Sequence, residues 1–357
     1  MVIPNLELNK NITQADTLPA EFYLNKLAFE IAKGKIFAQS WQLITDVDAL
    51  EKNNIFPFSF LRGIINEPLV LTKEKNDISC LSNVCTHRAH LAATTICNGK
   101  NLHCKYHGRK FSLDGKFYSM PGFEKVENFP APSDDLTRIP IQTWKNFIFV
   151  SLEGGININS ALEDIQNRIP AFPFAELQHD ETSDAEWVID AHWALYCENY
   201  LEGFHVPFVH KGLAKELELG SYETILLDQS VLQIGEGKKE IAILKNPESP
   251  NRNIYGLYYW IFPNLMLNFY EWGLSINIIE PITLGQTRIR FLSFPIKSKK
   301  QPKEGDSAIG KVELEDQDVV LRVQKGIKSR FYSKGRYSPE HEKGIHHFHL
   351  ILSKYLS

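Results

Sequence analysis

The stretch "CTHRAH" at residues 85–90 decides the reading of this chain, together with its partner "CKYHGRKF" at 104–111. Each offers a soft thiolate followed by an imidazole, as Cys85-x-His87 and Cys104-x-x-His107. Sixteen residues (88–103) lie between the two pairs, with an Asn98-Gly99 turn signal among them. Zinc accepts two thiolates and two imidazoles, but the usual finger places two cysteines before two histidines. Alternation suits a two-iron centre better, in which two cysteines hold one iron and two histidines the other. Each loop then contributes one ligand to each iron.

Working outward, the whole chain has the make-up of an ordinary globular protein. At 357 residues it has room for two domains or one elaborate one, and 43% hydrophobic residues supply a sizeable core. With a net charge of -4 nothing favours nucleic acid. The start, "MVIPNLELNKNITQADTLPAEFY", has neither a basic beginning nor a long apolar run. Secretory and membrane-spanning readings therefore fail, and a cytoplasmic protein is expected. The five cysteines, at 80, 85, 97, 104 and 197, are odd in number and scattered, which argues against a disulfide framework. Cys80 and Cys97 read as small packed residues.

Periodicity divides the chain. Residues 20–32 carry helical spacing that ends near a glycine. From Trp41 to residue 152, short runs such as "WQLI", "PLVLT", "ISCLSNV", "KFSL" and "FIFVSL" alternate with turn signals, including Asp114-Gly115. They predict a small antiparallel β domain. Beyond Gly154-Gly155, "INSALEDIQNRI" and "AHWALYCENYLEGFH" read as helices. "ILLDQSVLQIG", "IYGLYYWIFPNLMLNFYEW", "LSINIIEPI" and "TRIRFLSFPI" read as strands of a larger sheet, and "KVELEDQDVVLRVQKGIKSR" and "HEKGIHHFHLILSKYL" as late helices. "KSKKQPKEGD" (297–306) reads as a solvated loop.

A second constellation sits in "CENYLEGFHVPFVH", residues 197–210. On a straight helix His205 and His210 would point about 140° apart. Pro207 breaks that geometry between them, so both rings are free to converge. Two histidines and one carboxylate form the facial set that leaves open positions on Fe(II). Four late histidines, 341, 346, 347 and 349, invite a further metal, but helical packing explains them as well. Tyr258, Tyr259, Trp260, Phe262, Phe269, Tyr270 and Trp272 are core residues first, some with a chance to line a pocket through strand alternation.

With both constellations in view, "NVCTHRAHLA…CKYHGRKFSLDGKF" resembles the Rieske domain of the Rieske non-haem iron oxygenases, the ring-hydroxylating oxygenase alpha-subunit family. The resemblance implies Cys85, His87, Cys104 and His107 as ligands of a [2Fe-2S] cluster. His90 and Tyr106 stand where respiratory-type relatives carry a bridging cysteine pair. Lys105 and Arg109 depart from the common Cys-Pro-Tyr-His-Gly-Trp loop, implying an altered surface for a reductase. Asn199, Glu202, His205 and His210 match the family's mononuclear iron motif. Glu315-Asp316 with Val323-Gln324 match its late helix, so Asp316 is the implied third ligand and Asp318 the reserve. His192 stands in place of a frequent asparagine and reads as packing. By the same resemblance, Asn199 and Glu202 are catalytic helpers. Glu202 bridges to His107 of a neighbouring protomer and lies on the same helical face as His205. A glutamate there is the choice of the choline, betaine and carnitine branch.

The resemblance implies an α+β protein: an all-β Rieske domain (40–152) inserted into a helix-grip catalytic domain (153–357), an antiparallel sheet around a long C-terminal helix. Residues 1–39 form a helical segment on the catalytic domain. The implied activity is that of a terminal oxygenase, oxidising a small organic substrate such as a quaternary amine with O2 at mononuclear Fe(II). Electrons come from NAD(P)H through a separate reductase, with or without a ferredoxin, because this chain has no Rossmann glycine fingerprint. A homotrimer is implied. The competing readings are an aromatic-ring dioxygenase and a Rieske electron carrier with an inactive second domain.

Overall fold

The computed structural model describes residues 2–238, 252–299 and 309–356. They form two units, one of Met1–Phe37 with Asn157–Ser357, the other of Ala38–Ile156. The N-terminal helix expected over 20–32 is broken. A 3-10 turn, Phe22–Leu24, is followed by α1, Lys26–Ala32, because the Asn25 side chain accepts from the Ala28 N–H and restarts the helix there.

In the second unit β1 is Gln42–Asp46, α2 Val47–Lys52, β2 Ile55–Phe60, β3 Glu67–Glu74, β4 Asp77–Ser82 and β5 Asn101–His103. The remaining strands are β6 Lys110–Ser112, β7 Phe117–Ser119, β8 Arg138–Ile139, β9 Ile141–Trp144 and β10 Phe147–Val150. They make three small antiparallel sheets, β1-β10-β9, β2-β3-β4-β8 and β5-β6-β7. Asp114-Gly115 turns the chain between β6 and β7, with Gly115 at φ +89 and no room for a Cβ against Leu81. Cys85 and Cys104 belong to this unit's apolar core, packed with Ile55, Val70, Leu102 and Phe111.

The first unit resumes with α3, Asn159–Arg168, then β11, Ala185–Ile189, a strand not anticipated from the sequence, and α4, Trp193–Tyr200. Next come two short helices, α5 Val206–Val209 and α6 Leu213–Glu216. Strands β12 Glu223–Leu226, β13 Ser230–Glu236, β14 Ile254–Ile261, β15 Leu265–Tyr270, β16 Gly273–Thr283 and β17 Gln286–Pro295 follow. All join one antiparallel sheet, β11-β17-β16-β15-β14-β13-β12. Helices α7, Ile309–Ile327, and α8, Lys343–Leu356, close the chain. On α8 the apolar residues Ile345, Phe348, Leu352 and Leu356 recur at helical spacing and are buried. On α7 the inward stripe is partly polar: Glu313, Gln317, Val320 and Gln324. A polar stripe facing inward marks something other than core. Of the loop expected at 297–306, residues 300–306 lie outside the described residues.

The sheet alternates as strands must. On one face Tyr259 donates to Asp164 of α3 at 2.5 Å and Phe269 packs edge-on to Phe172 at 5.3 Å. On the other face Tyr258, Asn268 and Tyr270 border a cavity.

Two expectations about packing are settled locally. Cys80 is buried, but Cys97 is exposed, since it lies outside the strands and pairs with Ile55 only by an isolated bridge. His192 is buried as the N-cap of α4, its Nδ1 accepting from the Ala194 N–H at 3.3 Å. It sits edge-on to Phe22, Tyr23 and Phe29, and burial pushes its pKa down to about 3. An unfolded imidazole takes a proton near 6.5 that the folded one refuses. Stability therefore falls as pH drops below that value, by roughly 1.4 kcal/mol per pH unit for one proton. Replacing His192 by Asn keeps a capping acceptor and is expected to remove that share of the slope. Denaturant midpoints between pH 7.5 and 5.5 measure it, and an unchanged slope would show that His192 is not the buried neutral group.

Candidate metal centres

The two cysteine–histidine loops have the same backbone. The Cys85 carbonyl accepts from Ala89 N at 3.0 Å and its N–H donates to the His90 carbonyl at 2.8 Å. The Cys104 carbonyl accepts from Gly108 N at 3.1 Å and its N–H donates to the Arg109 carbonyl at 2.9 Å. Both turns close through a positive φ at the fourth residue after the cysteine, +55 at Ala89 and +78 at Gly108. The cysteines are 2% exposed, His107 is exposed and His87 half-buried, and the two imidazole rings stand 4.8 Å apart. Thiolates inside and imidazoles outside is the division a cluster with one sulfur-ligated and one nitrogen-ligated iron requires. Burial raises the Cys85 thiol's pKa, with the His87 backbone N–H acting the other way. Burial first, then the neighbouring His107, Arg109 and Arg88 side chains, hold His87 below the ordinary imidazole value, towards the neutral form a metal takes.

Arg109 corrects an expectation. It is 2% exposed, so it is no part of a reductase-facing surface, whereas Lys105 is exposed. Its guanidinium lies 5.0 Å from the Phe117 ring and 5.4 Å from Phe129, and donates to Asp134 at 2.6 Å. Asp134 also receives Thr86 on its carbonyl at 2.7 Å, which ties the first loop to the same anchor. His90 stays outside the ligand set, its Nδ1 against the Leu91 carbonyl at 2.7 Å.

The second constellation converges as its spacing suggested, by a different route. Helix α4 ends at Tyr200, so Glu202 is not on a helical face with His205. The Glu202 carboxylate folds back in a turn, accepting from the backbone N–H of Phe204 and, at 3.0 Å, of His205. Pro207 does not bend a helix but opens one: His205 precedes α5 and His210 follows it. The Nε2 atoms of the two rings come within 3.1 Å, and Asp316 Oδ1 lies 3.0 Å from His210 Nε2 and 3.5 Å from His205 Nε2. Facial ligands about 2.1 Å from one metal stand about 3 Å apart, so this triangle fits a single ion. Among the described residues it is the one such group of three donors within 4.8 Å of one another. The four cysteine–histidine donors are not gathered so tightly, which disfavours a single zinc there.

Each imidazole is oriented by a carboxylate behind it. His205 Nδ1 donates to Glu202 at 2.6 Å and His210 Nδ1 to Glu315 at 2.7 Å, which leaves both Nε2 atoms for the metal. Burial opposes a charged His210, but Asp316 and Glu315 outweigh it and carry its pKa up to about 8, so an arriving cation has a proton to displace. Asn199 donates to Asp316 Oδ1 at 2.6 Å. Asp318, the reserve, faces solvent and pairs with Arg322 at 2.9 Å. Sequence reasoning used Glu315 only as a motif neighbour and missed its contact with His210; the one available signal was its place beside Asp316. The late histidines are otherwise engaged: His346 with the Asn9 carbonyl, His347 with Leu227, His349 with Tyr337 and Glu198, and His341 stacked on Phe204.

Known protein families match the chain over most of its length. The family model described as "Ring hydroxylating alpha subunit (catalytic domain)" matches residues 174–357, and that of the Rieske [2Fe-2S] domain matches 40–130. The chain belongs to the ring-hydroxylating alpha-subunit family. It is a Rieske non-haem iron oxygenase, with a [2Fe-2S] cluster and a mononuclear iron as its cofactors. This oxygenase is 28% identical to the carnitine monooxygenase oxygenase subunit of Escherichia coli K12, over 96% of the chain and 95% of the relative. It is 26% identical to the chloroplastic choline monooxygenase of Arabidopsis thaliana, over 96% and 83%. Its fold is that of a quaternary ammonium Rieske monooxygenase, CntA, solved with L-carnitine (TM-score 0.81, 20% identity, 100% of both chains). Naphthalene 1,2-dioxygenase from Rhodococcus sp. also shares it (TM-score 0.73, 16% identity, 95% and 93%).

In this oxygenase a cavity of about 390 Å³ opens on the His205, His210 and Asp316 triangle. Tyr200, Tyr222, Tyr255, Tyr258, Tyr270 and Trp272 line it. Burial raises the pKa values of Tyr200, Tyr222, Tyr258 and Tyr270, so these four rings stay neutral phenols. Glu313 of α7 faces the same space, bonded to the Tyr196 hydroxyl and accepting from Asn277 at 3.3 Å. Burial and then the charge on Asp316 push its carboxyl up to about 8. A cation held in the cavity or at the donor triangle draws that carboxyl back towards its charged form.

Glu315→Gln is expected to weaken Fe(II) retention at the mononuclear centre by about 10–100-fold, because the His210 ring loses its anionic partner. His205→Ala should empty that centre, and both variants should keep the cluster's visible spectrum. Iron and acid-labile sulfide assays with absorbance read all of this, and bleaching of the cluster in either variant would break the division into two centres.

Proposed function

We propose that Cys85, His87, Cys104 and His107 hold the Rieske cluster and that His205, His210 and Asp316 hold the mononuclear iron. The substrate is a small quaternary amine, oxidised by hydroxylation or oxidative demethylation. On this reading residues 40–152 carry the electron-relay domain, 153–357 the catalytic domain, and 1–39 a segment packed on the latter. The observation that carries it is the donor triangle opening on a cavity of tyrosine rings. The π faces of neutral phenols attract a cation that has no N–H to donate, an attraction worth ~0.5–2 kcal/mol per contact. The likeness to choline and carnitine monooxygenases supports the same class.

When bound, the iron supplies O2 activation with electrons relayed through the cluster. The chain's own residues do the positioning. Asn199 steadies Asp316, Glu202 and Glu315 fix the two imidazole tautomers, and the tyrosine walls keep water from the amine.

Electrons come from an NAD(P)H-dependent reductase, directly or through a ferredoxin, in a cytoplasmic homotrimer. Among the described residues no helix is long and apolar enough to cross a membrane. Exposed Phe204 (44%) and Phe208 (73%) flank His205, which supports a subunit boundary beside the iron site. Glu202 then passes the electron across that boundary, between His205 and the partner subunit's cluster.

Chemically prereduced holoprotein mixed with O2 and choline, L-carnitine or naphthalene tests the reading in a single turnover. Mass spectrometry should find an oxidised or cleaved amine and unreacted naphthalene; an oxidised arene alone would replace the reading with ring dioxygenation. Glu202→Gln should retain both metals and the trimer, yet slow cluster reoxidation in stopped-flow absorbance. Reoxidation at the wild-type rate would take Glu202 out of the electron path.

A further inference from the structure

The charges around the cavity say more about the substrate than the rings do. Five carboxyl groups line it, those of Glu202, Glu216, Glu271, Glu313 and Asp316, while its described lining holds no lysine or arginine. Three of the five have a clear use. Glu202 binds His205, Asp316 belongs to the donor triangle, and Glu271 is paired with Lys299. Glu216 accepts from the Tyr255 hydroxyl at 2.9 Å. Glu313 is 9% exposed, held by Tyr196 and Asn277, and no lysine or arginine among the described residues pairs with it. A carboxyl enclosed without a counter-charge is costly unless a ligand brings one.

The aromatic wall is built around the same space. Gly235 and Gly256 are register partners on β13 and β14. A Cβ at Gly256 would lie 2.7 Å from the Tyr258 ring, and one at Gly235 would lie 3.2 Å from it. A Cβ at Gly203 would come within 2.8 Å of Tyr222. The backbone thus leaves these two rings room to lie flat along the wall. The wall amides are spent on one another: Gln233 donates to the Tyr200 carbonyl at 2.6 Å, and Asn268 to Asn277 at 3.0 Å. They hold the wall's shape and leave little to satisfy an anion.

We propose that the substrate is an organic cation carrying no carboxylate, choline-like rather than a zwitterion of the carnitine or betaine kind, with Glu313 as the counter-charge that selects it. The proposal rests on the amine reading above and narrows it. A zwitterion's carboxylate would enter a space whose described lining is acidic and offers it no guanidinium or ammonium. A neutral analogue would leave Glu313 without its partner.

Binding tests this without turnover. Calorimetric titration of the holoprotein would compare choline, L-carnitine and the neutral carbon isostere of choline, in which carbon replaces nitrogen; tryptophan fluorescence gives a second readout through Trp272. Choline is expected to bind at least about ten-fold more tightly than either of the others, and Glu313→Gln to collapse the preference over the isostere while cluster absorbance and iron content stay normal. The wild-type comparison stands by itself should that variant misfold. Equal or tighter binding of L-carnitine would overturn the proposal and leave the amine reading intact. An unchanged preference in Glu313→Gln would overturn the role of Glu313. Binding of neither choline nor L-carnitine would overturn the amine reading, and the proposal with it.

Discussion

Two hydrogen bonds between carboxylates and imidazoles, Glu202 to His205 and Glu315 to His210, are the constraint on which the catalytic unit depends. Each ring has two nitrogens, and only a partner at Nδ1 fixes which one is left for a metal. The partners come from different places. Glu202 lies in the turn after α4, and Glu315 on α7, more than a hundred residues later. For both Nε2 atoms to meet Asp316, α4, α5 and α7 must be held in register by the sheet and by contacts such as Asn199 to Asp316. Hydrogen bonds to charged groups contribute about 1.5–3 kcal/mol each, enough to orient a ring but not to assemble three helices. That work falls to burial around Trp193, Tyr196 and Val320.

The β unit solves a different problem. A two-iron cluster needs its thiolates away from water and its imidazoles at the edge, and on the proposed assignment the chain meets this by using one loop twice. The same pair of backbone hydrogen bonds, closed by a positive φ at Ala89 and at Gly108, sends each cysteine into the apolar core and each histidine outward. Arg109 makes the second loop unusual. A buried guanidinium among phenylalanine rings is tolerable because Asp134 neutralises it, and the same aspartate's carbonyl holds Thr86 of the first loop.

Much of this was legible in residue order. Ligand chemistry is short-range in sequence, so Cys85-x-His87, Cys104-x-x-His107 and the His205, His210 pair stood out at once, and strand runs such as "LSINIIEPI" announced themselves by β-branched content. The strand Ala185–Ile189 did not, being short and half-exposed. Geometry inside a motif was the harder part. The reading of Glu202 as a helical neighbour of His205 failed because the helix stops at Tyr200, and a glutamate accepting backbone N–H groups in a turn reaches the same imidazole by another path. Arg109 was misplaced for a related reason: charge predicts exposure until a carboxylate and three aromatic rings are found around it.

What residue order could not convey is the balance of charge in an enclosed space, because the cavity draws on α4, α7 and the sheet strands together. Tyr196, Asn277 and Glu313 are far apart in the chain and ordinary one by one. Brought together, they hold a carboxyl facing a space walled by neutral rings, and the glycines at 235 and 256 are what let Tyr258 lie flat there. Rings of this kind attract any cation, quaternary or not, and a tail of any charge can trail behind it. Discrimination must come from what the rest of the wall refuses. A wall rich in acids refuses anions, so on the proposed reading selectivity rests less on the aromatic residues around the head than on the absence of a basic residue, among those described, to receive a carboxylate tail.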